Sequence, residues 1–173
     1  MLTEGQQNYL LKLDPERANT PVFVNTFDPR TKVIAKEIMG KIKNEIPDAD
    51  IRFMGASALG ISGQNDVDIY IICPHDIKEN YLFKLKPVFG EQIKNKWQWE
   101  EEEIEVSVYL SDPTDQKFQE QLDIFDLLKN DHKILQEYEK LKEQMNGKSY
   151  KEYQVAKYEF YNRVLNITDQ TQK

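Results

Sequence analysis

The chain has 173 residues, 39% of them apolar, a length that favours one compact domain with a real core over two. Thirty acidic against 23 basic residues give a net charge of −7, so most of the surface repels a phosphate backbone; this argues against a nonspecific DNA or RNA coat protein, no long nucleic-acid partner is expected, and any nucleotide recognition must be local. Cys73 is the single cysteine and can form neither an internal disulfide nor a cysteine zinc cluster; no apolar run reaches the roughly 18 residues needed to cross a bilayer; the expectation is a cytoplasmic protein without a secretory signal or membrane partner.

Residues 4–12 are helix-compatible and end at Asp14-Pro15, which predicts a short accessory helix and a connecting stretch to Thr20-Pro21. Val22 to Val24 form a brief β-prone run. Pro29 then sits in the first turn of a helix reaching about Asn44, with Val33, Ile34, Ile38, Ile42 and Ile46 as its buried stripe. Pro47 stops that helix, and Ile51 to Met54 read as a strand. The loop from Gly55 to Asn65 holds three of the chain's seven glycines, so it needs close backbone approach or unusual dihedrals. Asp66 to Ile72 passes from alternation to an apolar run, which predicts a strand deep in a sheet with its polar end at the edge.

Asp76 to Leu85 read as a helix ended by Pro87 to Gly90. The segments 97–99 and 104–108 alternate with period two and predict a hairpin whose tip lies in Glu100 to Glu102. From Pro113 onward the pattern is helical: Asp115 to Lys129, then a helix capped by Asp131 to Met145 with Ile134, Tyr138, Leu141 and Met145 buried, then one capped by Ser149 to Leu165. The whole predicts an α+β fold, a small mixed sheet flanked by helices with a helical C-terminal third. Residues 1–21 form an accessory segment, 22–166 a single domain, and 167–173 a tail.

Three features carry chemistry. Asp66 and Asp68, two apart on a strand, leave the same face with carboxylates close enough to hold one hard divalent cation; alone, such a pair also reads as a turn cap or a solvated strand mouth. The small residues Gly55, Ala56 and Ser57 let backbone N–H groups face an anion, although the loop is neither a Walker loop nor a dinucleotide turn. Glu105, between Ile104 and Val106 on a later strand, can complete a three-carboxylate cluster if that strand lies beside the first. Glu103 is the register-shifted alternative, and both also fit a solvated acidic face. Weaker candidates are Cys73 with His75, His132, the pair Trp97 and Trp99 as a base-stacking surface, and the C-terminal tyrosines; packing is the ordinary role for each aromatic.

Taken in order, strand, Gly55-Ala56, nine residues, then Asp66-Val67-Asp68 and a later strand acid, the chain resembles the nucleotidyltransferase superfamily of the DNA polymerase β type. Within it, Phe23 to Lys36, Ile124 to Leu128, Glu137-Tyr138, Leu141-Lys142, Tyr153, Ala156-Lys157 and Phe160 are similar in order to the GrpB-like family, from about Val22 to Leu165. The resemblance implies a Mg²⁺ (or Mn²⁺) site at Asp66, Asp68 and Glu105. It implies phosphate contacts from Gly55, Ala56 and Ser57, and from Lys142 and Lys157, which match lysines of the family pattern and are otherwise solvated lysines on amphipathic helices. The implied activity is transfer of a nucleotidyl group from a nucleoside triphosphate to an unknown small-molecule or protein hydroxyl; a homodimer is a possible assembly. The family's usual histidine, isoleucine and serine around the loop's first glycine are Phe53, Met54 and Ala56 here, and its lysine–proline pair is Gln64-Asn65. Its paired strand histidines and its helix arginine are absent, with Phe125 in the latter's place. These losses leave a catalytically degenerate nucleotide- or protein-binding module as the alternative.

Overall fold

In the computed structural model, which describes residues 1–165, the chain forms α1 (Glu4–Leu11), α2 (Pro15–Asn19), α3 (Arg30–Glu45), β1 (Asp50–Met54), α4 (Gly55–Leu59), β2 (Val67–Ile72), α5 (Lys78–Phe89), β3 (Lys96–Glu101), β4 (Ile104–Ser111), α6 (Gln116–Asn130), α7 (His132–Gln144) and α8 (Tyr150–Val164). The expected tail, 167–173, lies outside the described residues. The four strands make one mixed sheet in the order β1-β2-β4-β3. β2 runs parallel to β4, and the two outer pairings are antiparallel.

Alternation along β2 and β4 sends Val67, Ile69, Ile71, Val106, Val108 and Leu110 to one face, where they pack on Ile34, Ile38 and Ile42 of α3, Leu85 of α5 and Trp97 of β3. Ile38, Ile42, Ile69 and Ile71 are wholly buried, and each such side chain contributes about 2 kcal/mol of transfer free energy. The opposite face carries Asp68, Tyr70, Ser107 and Tyr109 and looks toward the helical third. There a second apolar cluster of Ala56, Ile61, Ile124, Leu128, Tyr138 and Phe160 joins α4 to α6, α7 and α8. The polar sheet face therefore lies between two cores. Among the described residues no helix is long and apolar enough to cross a membrane.

Several local expectations are corrected. The stretch after Asp14 holds a second helix, α2, because the Asp14 carboxylate accepts from the N–H groups of Glu16 and Arg17 and Pro15 takes the first helical position. Val22 to Val24 form no strand: Val22 exchanges backbone hydrogen bonds with Gly147 and Lys148, and the Val24 N–H donates to the Asn146 side chain. Val33 lies off the buried stripe of α3 and is 58% exposed. α5 runs past Leu85 and through Pro87 to Phe89 before it stops at Gly90, within the 87–90 stretch expected to end it. The hairpin tip is Glu102-Glu103, both at positive φ (51° and 66°), as a two-residue turn of the hairpin-compatible hand requires; without glycine or asparagine there, no sequence signal marks it. On α7 only Tyr138 of the expected stripe is fully buried, and Lys142 is buried beside it.

Residues before 21 pack on α8. Gln6 and Asn162 exchange amide hydrogen bonds (2.9 and 2.8 Å), and Asn162 also donates to the Met1 carbonyl at 2.8 Å.

Candidate active site

The site begins where β1 ends. Gly55 adopts φ +85°, which L side chains rarely adopt, and turns the chain from β1 directly into α4. A Cβ on Gly55 would lie 3.6 Å from Asp68 Oδ2, so the turn runs alongside that carboxylate. The expected phosphate-cradling loop is thus a strand-to-helix turn: Gly55, Ala56 and Ser57 are the first three residues of a five-residue helix. Ser57 is 1% exposed, and its Oγ has no hydrogen-bond partner among the described residues. Gly63 closes the loop by backing onto Ala56, whose Cβ would stand 2.7 Å from a Cβ placed there. That position has no room for any other residue.

Asp68 pairs with Ser107 across the parallel β2·β4 ladder, and paired positions share a face. Asp66 lies two residues before Asp68, and Glu105 two before Ser107, so all three acids belong to the sheet face that looks toward the helical third. Asp66 and Asp68 are half-buried and Glu105 is exposed. Glu103 sits in the hairpin turn, off the strand. Burial first, and then the neighbouring charge of Asp66, pushes the Asp68 carboxyl up to about 7, while Lys157 and Lys96 pull it down.

Three lysines from three elements face these acids. Lys142 of α7 is only 5% exposed; its Nζ would stand 3.3 Å from a Cβ at Gly63 and lies 5.3 Å from the Tyr138 ring centroid. The ion pairs among the described residues are Arg30–Asp28, Arg52–Asp50, Lys86–Glu91 and Arg163–Glu137, so Lys142 is in none. Desolvation, followed by the positive charge of Lys157, lowers the Lys142 ammonium to about 8, against the pull of Asp66, Asp68 and Glu139. The reading of Lys142 as a solvated helix lysine is therefore corrected. Lys157 of α8 is half-buried with its Nζ 5.5 Å from the Tyr161 ring. Lys96 of β3, which sequence reasoning missed, donates to Ser107 Oγ at 3.3 Å and lies over the Tyr109 ring at 5.4 Å. Its position beside a tryptophan on an edge strand gave no chemical signal.

Among the described residues, no three His, Cys, Asp or Glu side chains are gathered closely enough to hold a metal ion as they stand. The donor set nonetheless suits a hard divalent cation at two positions. Asp66 and Asp68 are oxygen ligands whose mutual repulsion a cation would relieve, while Glu105 reaches the same face without closing on them. The weaker candidates go elsewhere. On the opposite face Trp99 stacks on Phe89 and Trp97 packs against the same ring at a tilt of 47°, with Trp97 Nε1 donating to the Gly90 carbonyl. Cys73 is a buried thiol pushed up to about 11 by burial, and His132 is exposed at the start of α7. Tyr138 and Tyr161 pair their hydroxyls at 3.0 Å rather than wetting them.

A family model described as GrpB protein matches residues 21–166. No curated protein sequence matches the chain. Among solved structures, the crystal structure of conserved protein GrpB from Enterococcus faecalis is similar at 13% identity and a TM-score of 0.57, covering 83% of this chain and 99% of that one. A structure of Cid1, described for its RNA terminal uridylyl transferase activity, is similar at 11% identity with a TM-score of 0.46, over 76% of this chain and 44% of that chain. A Cid1 poly(U) polymerase structure with MgGTP bound is similar at 10% identity with a TM-score of 0.41, over 76% of this chain and 45% of that chain. This chain thus spans under half the length of the Cid1 chains. With the family matched over residues 21–166, most of the chain, and the α+β architecture shared with a solved member, the chain belongs to the GrpB family.

Proposed function

We propose that the polar sheet face, where it meets the helical third, binds a nucleoside triphosphate with Mg²⁺ (or Mn²⁺) and transfers its nucleotidyl group to a hydroxyl acceptor, releasing pyrophosphate. The observation that carries this reading is that three lysines from three different elements face Asp66 and Asp68, beside a small-residue turn holding a buried hydroxyl without a partner among the described residues. A half-buried like-charge pair and a buried ammonium outside every ion pair of the described residues both raise the free energy of the empty site. A ligand that combines a metal cation with phosphate oxygens satisfies both at once.

Asp66 and Asp68 would hold the cation, which when bound neutralises charge on the phosphate chain. The backbone N–H groups of Ala56 and Ser57 and the Ser57 hydroxyl donate to terminal phosphate oxygens, and Lys142 and Lys157 supply the opposing positive charge. Glu105, exposed at the rim of the same face, accepts the proton of the incoming hydroxyl. The acidic surface disfavours a long polynucleotide acceptor and suits a small molecule or a protein side chain.

The test is calorimetric titration of ATP in the presence of Mg²⁺ or Mn²⁺. Wild type is expected to show metal-dependent affinity that vanishes in Asp68→Asn; unchanged binding in that variant would overturn the assignment. A second reading, nucleotide binding without turnover, is favoured by the exposure of Glu105 and its separation from the aspartate pair. Metal-dependent pyrophosphate release across a panel of triphosphates and acceptors would exclude it.

A further inference from the structure

The residue that joins the loop to Asp66 adopts an uncommon backbone conformation. Asn65, the residue immediately before Asp66, has φ +58°, in the left-handed region that costs a non-glycine residue energy unless its side chain repays it locally. The Asn65 side chain does so across the fold rather than within its own turn: Nδ2 donates to the Thr26 carbonyl at 2.8 Å, and Oδ1 accepts from the Asp28 N–H at 3.1 Å. Two residues upstream, Gly63 and Asn25 exchange backbone hydrogen bonds in both directions (2.7 and 2.9 Å). The stretch 63–65 is thereby pinned at both ends to 25–28.

That anchor is tied to the buried start of α3. Thr31, wholly buried in the first turn of α3, donates its hydroxyl to the Asp28 carbonyl at 2.7 Å, and α3 goes on to bury Ile34, Ile38 and Ile42 against the far face of the sheet. The position of the Asp66 carboxylate is consequently set from the opposite side of the sheet, through one amide.

We infer that Asn65 is a positioning residue for Asp66: its amide clamp holds the left-handed turn that presents Asp66 on the same face as Asp68. The role rests on the reading of Asp66 and Asp68 as the cation-holding pair, and the clamp acts only through Asp66, touching no substrate. Loss of the clamp frees the turn without removing any ligand, so its effect must disappear when Asp66 can no longer serve as a ligand.

This is tested with a double-mutant cycle in the full chain, using Mn²⁺ with ATP as the probe. Asn65→Gly keeps the left-handed backbone accessible and removes both side-chain hydrogen bonds. It is expected to weaken Mn²⁺–ATP binding about tenfold, and Asp66→Asn is expected to weaken it at least as much. The double variant should bind no more weakly than Asp66→Asn alone, and thermal unfolding should show both variants folded. Additive losses in the double variant would assign Asn65 a merely structural role and overturn the inference, as would Asn65→Gly binding like wild type while Asp66→Asn and Asp68→Asn are both impaired. A wild-type chain that binds no Mn²⁺–ATP, or an Asp68→Asn variant that binds it unchanged, removes the carboxylate site itself and the positioning role with it.

Discussion

In metal-free buffer at pH 8, Asp68→Asn should be more stable than the wild type by on the order of 2 kcal/mol, and the advantage should vanish below about pH 4. The Asp68 carboxyl is pushed up to about 7 from an ordinary value of 3.8, first by burial and then by Asp66. Between those two values the folded chain holds a proton that the unfolded chain has released, so wild-type stability falls as pH rises from about 4 to 7 and stays low above that. Asparagine fills the same space without the charge, and its curve lacks that fall. Thermal unfolding of both proteins in chelator across pH 4 to 8 gives the comparison. Adding Mg²⁺ with ATP should then reverse the order, because a ligand that binds only the folded wild type stabilises it by mass action. An asparagine variant less stable than wild type at pH 8 would mean that the carboxylate is well satisfied in the empty site.

Lys142→Met should separate stability from binding in the same way, from the cationic side. The ammonium is buried on α7 outside every ion pair of the described residues, and desolvation followed by the charge of Lys157 lowers it to about 8. The folded chain therefore gives up this proton more readily than the unfolded one. The penalty is complete below pH 8 and is relieved as pH rises from 8 toward 10.5, so wild-type stability should climb across that window. Methionine keeps the packing of the stem without the charge, and should raise stability at pH 7 by on the order of 1–2 kcal/mol after allowance for the lost contact with Tyr138. ATP affinity with Mg²⁺ should fall at least about tenfold. Unfolding curves and calorimetry on the same preparations report the two signs. A variant that loses stability and keeps its affinity would place Lys142 in the scaffold rather than the site.

The elements most legible in the sequence were those whose pattern matched their burial. The alternation of Asp66 to Ile72 and of Ile104 to Val108 reported one buried and one polar face, and the ladder pairs Val67 with Val106 as that requires. The caps Asp115, Asp131 and Ser149 begin α6, α7 and α8 because each accepts a hydrogen bond from a first-turn N–H. Legibility failed where tertiary contacts overrode local chemistry. Glu102 and Glu103 take the left-handed turn because β3 and β4 bring them there, with no residue type to announce it. Lys142 looked like a surface lysine because periodicity cannot report that the 55–63 loop covers it. Asn65 looked like an ordinary loop residue, since its partners Thr26 and Asp28 lie 39 and 37 positions away. For the site itself, the spacing of Asp66 and Asp68 was readable, whereas the approach of Lys96 from β3 and of Lys142 and Lys157 from α7 and α8 is a property of the tertiary packing.

The most direct test of the central claim is a crystal structure of the full chain soaked with Mn²⁺ and a nonhydrolysable nucleoside triphosphate. The account predicts an anomalous manganese peak between the carboxylates of Asp66 and Asp68, with the phosphate chain against Gly55 to Ser57 and within reach of Lys142. A triphosphate bound elsewhere, or manganese absent from that aspartate pair while nucleotide is present, would contradict it.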